Sequence, residues 1–100
     1  MKTIDVDSLE VKNNAAKGRF EVQLDDQVGV LQYEKEGDTY IYTHTSVPTE
    51  YGGQGIAQKL AKAALDDAQA EGAKIVPICP FVQSYVKKHP EYQPMVTELK

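Results

Sequence analysis

Tryptophan is absent from this sequence, phenylalanine occurs twice and cysteine once, as Cys79. One cysteine makes neither an internal disulfide nor a thiolate metal cage, so Cys79 is either a small buried hydrophobe or a useful thiol in a reducing compartment. No metal centre is expected. Basic residues are also scarce: 11 Lys and Arg against 15 Asp and Glu leave a net charge of −4 and a pI near 5.1. Recognition of a nucleic acid needs a concentrated Lys/Arg surface, so this balance argues against such a partner and implies that any bound anion is held locally. No apolar run approaches the roughly 20 residues that cross a bilayer. Met1 to Glu10 alternates charge with small apolar residues, unlike a signal peptide. The expected address is cytoplasmic, without membrane contact.

What is present is the composition of a globular protein: 41% hydrophobic and 26% charged over 100 residues, with six tyrosines. That length is modal for a single domain spanning 1–100, with one core burying roughly two-thirds of the unfolded surface. Met1 to Gly18 reads as a lead-in with one short edge strand, anchored by Leu9 and Val11. From Arg19 the period is 2, with Phe20, Val22 and Leu24 on one face. Asp25-Asp26-Gln27 closes a turn, Val28 to Lys35 forms a second strand, Glu36-Gly37-Asp38 a hairpin turn and Thr39 to Val47 a third strand. The period then becomes helical across Gly53 to Glu71, with Ile56, Leu60, Ala64 and Ala68 on the inward face. Gly72 suits a left-handed cap, and Lys74 to Cys79 reads as a buried strand parallel to its predecessor. Pro80 opens a short helix with Phe81, Val82, Tyr85 and Val86 inward, and Pro90 stops it. The fold class is α+β: an antiparallel meander, a helix, a parallel strand and a short C-terminal helix.

The segment Val47-Pro48-Thr49-Glu50-Tyr51-Gly52-Gly53-Gln54-Gly55-Ile56-Ala57 places three glycines between a strand end and a long helix. Such a loop lets backbone N–H groups converge on an anion at the positive end of the helix dipole. It is not a nucleoside-triphosphate loop, which needs Lys after the last glycine where Ile56 stands, nor a dinucleotide fingerprint, which needs glycine at Gln58. It resembles the pyrophosphate loop of the GNAT acyltransferase superfamily, Gln/Arg-x-x-Gly-x-Gly/Ala, with Gly55 and Ala57 at the small positions. Gly52 departs from the pattern at the position of Gln or Arg. The tail from Pro77 to Tyr92, with Cys79 after the strand and Pro90-Glu91-Tyr92 at its end, is similar to the small YjdJ-type branch of that superfamily. The resemblance covers Arg19 to Tyr92.

That resemblance implies a truncated GNAT fold around a splayed mixed sheet, acetyl-coenzyme A (acetyl-CoA) as donor and an amine as acceptor. It assigns Thr45, Ser46 and Val47 to the pantetheine arm and Gly52, Gly53, Gln54, Gly55, Ile56 and Ala57 to the pyrophosphate. Pro48 interrupts sheet pairing beside the first group and leaves backbone groups in need of partners. Cys79, next to Pro80, falls at or beside a helix N-cap, an electropositive place that suits a nucleophile accepting the acetyl group; the alternative is a channel-lining or core residue. His44 is the candidate base, with Glu34 as the alternative carboxylate. Tyr85 matches the place of the tyrosine that protonates the departing thiolate in many GNAT enzymes, or else packs in the core. Lys87 and Lys88 either meet the coenzyme phosphates or offset the helix dipole. Two functions remain open on these residues, an N-acetyltransferase and a coenzyme A-binding or interaction module without turnover. The chain stops soon after the second helix, so the expected acceptor side is open and suits a protein or polyamine amine, or no acceptor at all.

Overall fold

The computed structural model describes residues 3–97. Five strands form one sheet in sequence order: β1 (Val11–Asn14), β2 (Arg19–Gln23), β3 (Val28–Glu36), β4 (Thr39–Ser46) and β5 (Lys74–Pro77). Three successive antiparallel pairings are followed by one parallel pairing, β4 with β5. The crossover between those two strands is α1 (Ile56–Ala70), and α2 (Pro80–Lys88) follows β5. The meander, long helix, parallel strand and short helix thus occur in the expected order.

The core explains why the sheet and helices meet as they do. Phe20, Val22, Leu31, Tyr33, Tyr40, Tyr42 and Ile75 point from the sheet onto Ile56, Leu60, Ala64, Leu65 and Ala68 of α1. Full burial of each large aliphatic group among them contributes about 1.5–3 kcal/mol against its exposed state. Tyr42 is fully buried and satisfies its hydroxyl by donating to the Ala64 carbonyl at 3.0 Å. Gly29 seats the first turn of α1: a Cβ there would lie 3.0 Å from Val22 and 3.6 Å from both Ile56 and Leu60. Tyr92 is buried beside α1 and donates to Asp66 at 2.5 Å, so the Pro90-Glu91-Tyr92 ending locks the C-terminal turn onto the helix.

The structure departs from the sequence expectation by a residue at the ends of β3, β4 and α1, and in three further features that shape the site. The helical pattern begins at Ile56 rather than Gly53, because Gly53 and Gly55 adopt φ of 78° and 93° and lie outside the helix. β5 ends at Pro77 rather than Cys79, because the N–H groups of Ile78 and Cys79 both turn to the Tyr42 carbonyl, at 3.0 and 2.9 Å. Cys79 is thereby the N-cap of α2, with Pro80 at its first position. Finally, β4 carries a bulge: Gln32 pairs with His44 and Tyr33 with Tyr42, leaving Thr43 as the extra residue. The lead-in is held by β1 pairing with β2, by Lys59 donating to the Val6 carbonyl at 2.7 Å, and by the Ile4 N–H on Gln54 Oε1 at 2.9 Å. Among the described residues no helix is long and apolar enough to cross a membrane.

Candidate active site

The parallel ladder stops at Tyr42 opposite Pro77, and β4 continues to Ser46 without β5 beside it. The two strands therefore splay, and Tyr42 is the apex. Cross-strand partners share a face of the sheet, so Thr45 lies with its partner Leu31 on the core side, and His44 and Ser46 lie with Gln32 and Val30 on the other. Unbroken alternation would have put His44 on the face of Tyr42. The Thr43 bulge reverses this and brings the Thr45 hydroxyl to 3.4 Å from Cys79 Sγ across the splay. Cys79 is 4% exposed and contacts the core cluster on one side, with the splay on the other.

Beyond the splay, Pro48 turns the chain into a 3-10 turn at Thr49–Tyr51 and then into the glycine loop. A cleft of about 280 Å³ opens here, lined by Val47, Tyr51, Gly52, Gly53, Gly55, Ile56, Ala57, Gln58 and Phe81. The left-handed backbone at Gly53 and Gly55 is one that glycine adopts without steric cost. A Cβ built on either would meet no atom within 4 Å, so the space above the loop is open. Gly55 is the N-cap of α1 and offers no side-chain cap. The first intrahelical N–H to find a partner is that of Lys59, on the Gly55 carbonyl at 3.0 Å, so the N–H groups of Ile56, Ala57 and Gln58 sit at the positive end of the dipole. An open glycine surface beside an uncapped helix start has the geometry of a backbone anion cradle.

The remaining sequence candidates fall in three places. Gln54 belongs to the loop, but its side chain is spent on the Ile4 N–H and the Tyr51 carbonyl. The Ile56 side chain is buried in the core, leaving its backbone for the cradle. His44 and Glu34 lie on the far face of the sheet, both exposed. Tyr85 sits deeper in the molecule, with its ring stacked on His89 at 3.9 Å and near Tyr92 at 6.3 Å. Burial raises its pKa, and its charged neighbours are Lys62, Asp66 and Glu91. Lys87 and Lys88 end α2, about 10 Å along the axis from Phe81 at 1.5 Å per residue. Tyr85 and the two lysines are absent from the described lining of the cleft. Sequence reasoning missed Tyr51, Gln58 and Phe81 as cleft walls. Phe81 reads as an inward helix residue, and only the position of α2 beside the glycine loop reveals its half-exposed edge.

A strand splayed from its parallel neighbour, with a backbone anion cradle at the start of the crossover helix, defines an acyltransferase of the GNAT type. The chain belongs to the GCN5-related N-acetyltransferase family, whose model matches residues 19–95. It is 39% identical over 85 residues to Protein NATD1 of Gallus gallus, a match covering 82% of this chain and 77% of the relative. Protein NATD1 of Homo sapiens is also 39% identical over 85 residues, covering 82% and 75%. The solution structure of a GCN5-like protein from Staphylococcus aureus superposes with a TM-score of 0.69 at 28% identity, covering 92% of this chain and 91% of that one. The protein is accordingly an N-acetyltransferase with a GNAT fold, and its activity is acetyl transfer.

Proposed function

We propose that the chain moves an acetyl group from acetyl-CoA to an amine, with Cys79 as the residue that accepts the acetyl group on the way. The observation that carries this reading is continuity. The open glycine cradle and the splay holding Cys79 are joined by the end of β4, with Val47 on the wall of the cleft and Thr45 at Cys79. The residues present fit the coenzyme: a Cβ would fill the space above Gly53 and Gly55 that a pyrophosphate needs.

The backbone of Gly52 to Ala57 would hold the pyrophosphate, and the end of β4 at Thr45 and Ser46 together with Val47 just beyond it, left without β5, would pair with the pantetheine amides. Bound there, the coenzyme supplies an activated acetyl thioester. Cys79 Sγ, as thiolate, forms a bond to the acetyl carbon while the bond from that carbon to the coenzyme sulfur breaks. Solvent protonates the departing thiolate. The amine then bonds to the same carbon, Cys79 leaves as thiolate, and water takes the proton from nitrogen; His44 lies across the sheet from Cys79 and is not placed for that step. Lys87 and Lys88, one helix length from the cleft, are candidates only for the outer phosphate.

Native mass spectrometry with acetyl-CoA tests this. The expected result is one bound coenzyme and one acetyl group on the peptide containing Cys79. Absence of coenzyme binding overturns the reading, whereas binding and turnover without the adduct remove the relay and leave direct attack by the amine. A gain-of-binding variant adds a second check. Gly52 has ordinary extended backbone (φ −65°, ψ 156°), and a Cβ there lies 3.3 Å from the Thr49 carbonyl, so a side chain fits after a small shift. Gly52→Arg restores the family's basic residue and should tighten coenzyme A by about three- to tenfold in calorimetry, through a charge-assisted donor near the pyrophosphate.

A further inference from the structure

We infer that Tyr51 and Asp26 form a positioning pair that fixes the glycine loop for the coenzyme from the opposite side of the cleft floor. This rests on the proposed coenzyme site and adds to it a part of the machinery far away in sequence. Tyr51 ends the 3-10 turn before Gly52, is fully buried, and lines the cleft from below. Its hydroxyl donates to Asp26 Oδ1 at 2.8 Å, and Asp26 sits in the turn joining β2 to β3. A second tie runs alongside, from Gln27 Nε2 to Glu50 Oε1 at 2.9 Å. The β2–β3 turn is itself closed by the Leu24 N–H on the Gln27 carbonyl at 2.8 Å, so the pair grips a fixed point of the sheet.

The chemistry calls for such a strut. The cradle consists of backbone N–H groups carried by glycines, the residues with the greatest freedom to leave the required conformation. Among the described residues, two backbone turn bonds hold the segment between Pro48 and Gly55, Tyr51 N–H to the Pro48 carbonyl at 2.9 Å and Gly52 N–H to the Thr49 carbonyl at 3.1 Å. Tyr51 is therefore a rigid, buried side chain through which the sheet helps set the loop's geometry. A donor array held in place before the ligand arrives binds better than one the ligand must order.

The test uses Tyr51→Phe, which keeps the buried ring and deletes only the hydroxyl. The dissociation constant for coenzyme A should rise about tenfold, matching loss of a hydrogen bond to a charged group. KM for acetyl-CoA should rise to the same extent, with kcat changing much less. In the coenzyme-free protein, amide hydrogen exchange at Tyr51 and Gly52 should accelerate, a readout independent of turnover. Asp26→Ala should reproduce these effects, add nothing in a Tyr51→Phe background, and be rescued in large part by Asp26→Asn, whose amide oxygen still accepts. Tyr51→Phe with native affinity and native exchange would overturn the inference, as would fully additive effects of the two variants. Failure of the unmodified protein to bind coenzyme A would instead overturn the site on which the pair acts, and the inference with it.

Discussion

Gly55→Val is expected to lower coenzyme A affinity by at least about a hundredfold while leaving the protein folded. Two effects combine at this residue. Its φ of 93° lies in the region that a β-branched side chain disfavours, and strain of this type costs about 1–3 kcal/mol. That cost alone is within the stability of a domain of this size, commonly 5–15 kcal/mol. The larger effect on binding is steric. A Cβ at Gly55 meets no protein atom within 4 Å, so the valine methyls project into the open cleft beside the N–H groups of Ile56 and Ala57, the place of the anion. Gly37→Val separates the two effects, because Gly37 has φ of 59°, also faces open space, and lies in the β3–β4 hairpin away from the cleft. Calorimetry should show loss of binding for the first variant and native affinity for the second, with comparable thermal destabilisation. Equal affinity in both would mean that the glycine loop is not the anion cradle.

Cys79→Ala should remove the acetyl adduct from the protein and cut turnover by at least about a hundredfold, since the acyl relay has no other nucleophile. The structural cost is small: one buried sulfur atom is lost from a site at the rim of the core, about 1 kcal/mol or somewhat more. Coenzyme A affinity should therefore stay near the native value, which distinguishes a chemical defect from a collapsed cleft. Serine is a poorer probe, because its hydroxyl could keep the contact with Thr45 or remain unpaired at the sheet end. An alanine variant that turns over at the native rate would return Cys79 to the role of a channel wall. The amine would then attack the thioester directly, with water taking the proton.

Much of this architecture was legible in the order of the residues. The alternation of Phe20, Val22 and Leu24, the turns at Asp25-Asp26-Gln27 and Glu36-Gly37-Asp38, and the 3.6-residue spacing from Ile56 to Ala68 each report a local preference. Those preferences agree with the final packing. The glycine loop was legible for the same reason: left-handed backbone at Gly53 and Gly55 needs glycine whatever surrounds it. Pro80 likewise marks the start of α2 by its fixed φ and missing N–H, and so placed Cys79 at the cap.

The sequence by itself therefore determined the strand and helix order, the left-handed glycine loop before the long helix and the position of Cys79 at a helix start, because each depends on backbone conformations that a few neighbouring residues dictate. Only the tertiary structure decided which side chains meet. The bulge at Thr43 turns Thr45 rather than His44 toward Cys79, and it arises from the register of β4 against β3, a pairing between residues distant along the chain. The packing of α2 brings Phe81 to the cleft while leaving Tyr85 among His89 and Tyr92, and the tie from Tyr51 to Asp26 spans 25 residues of sequence. Contacts of this kind depend on how elements stack in space, and local spacing carries no record of them.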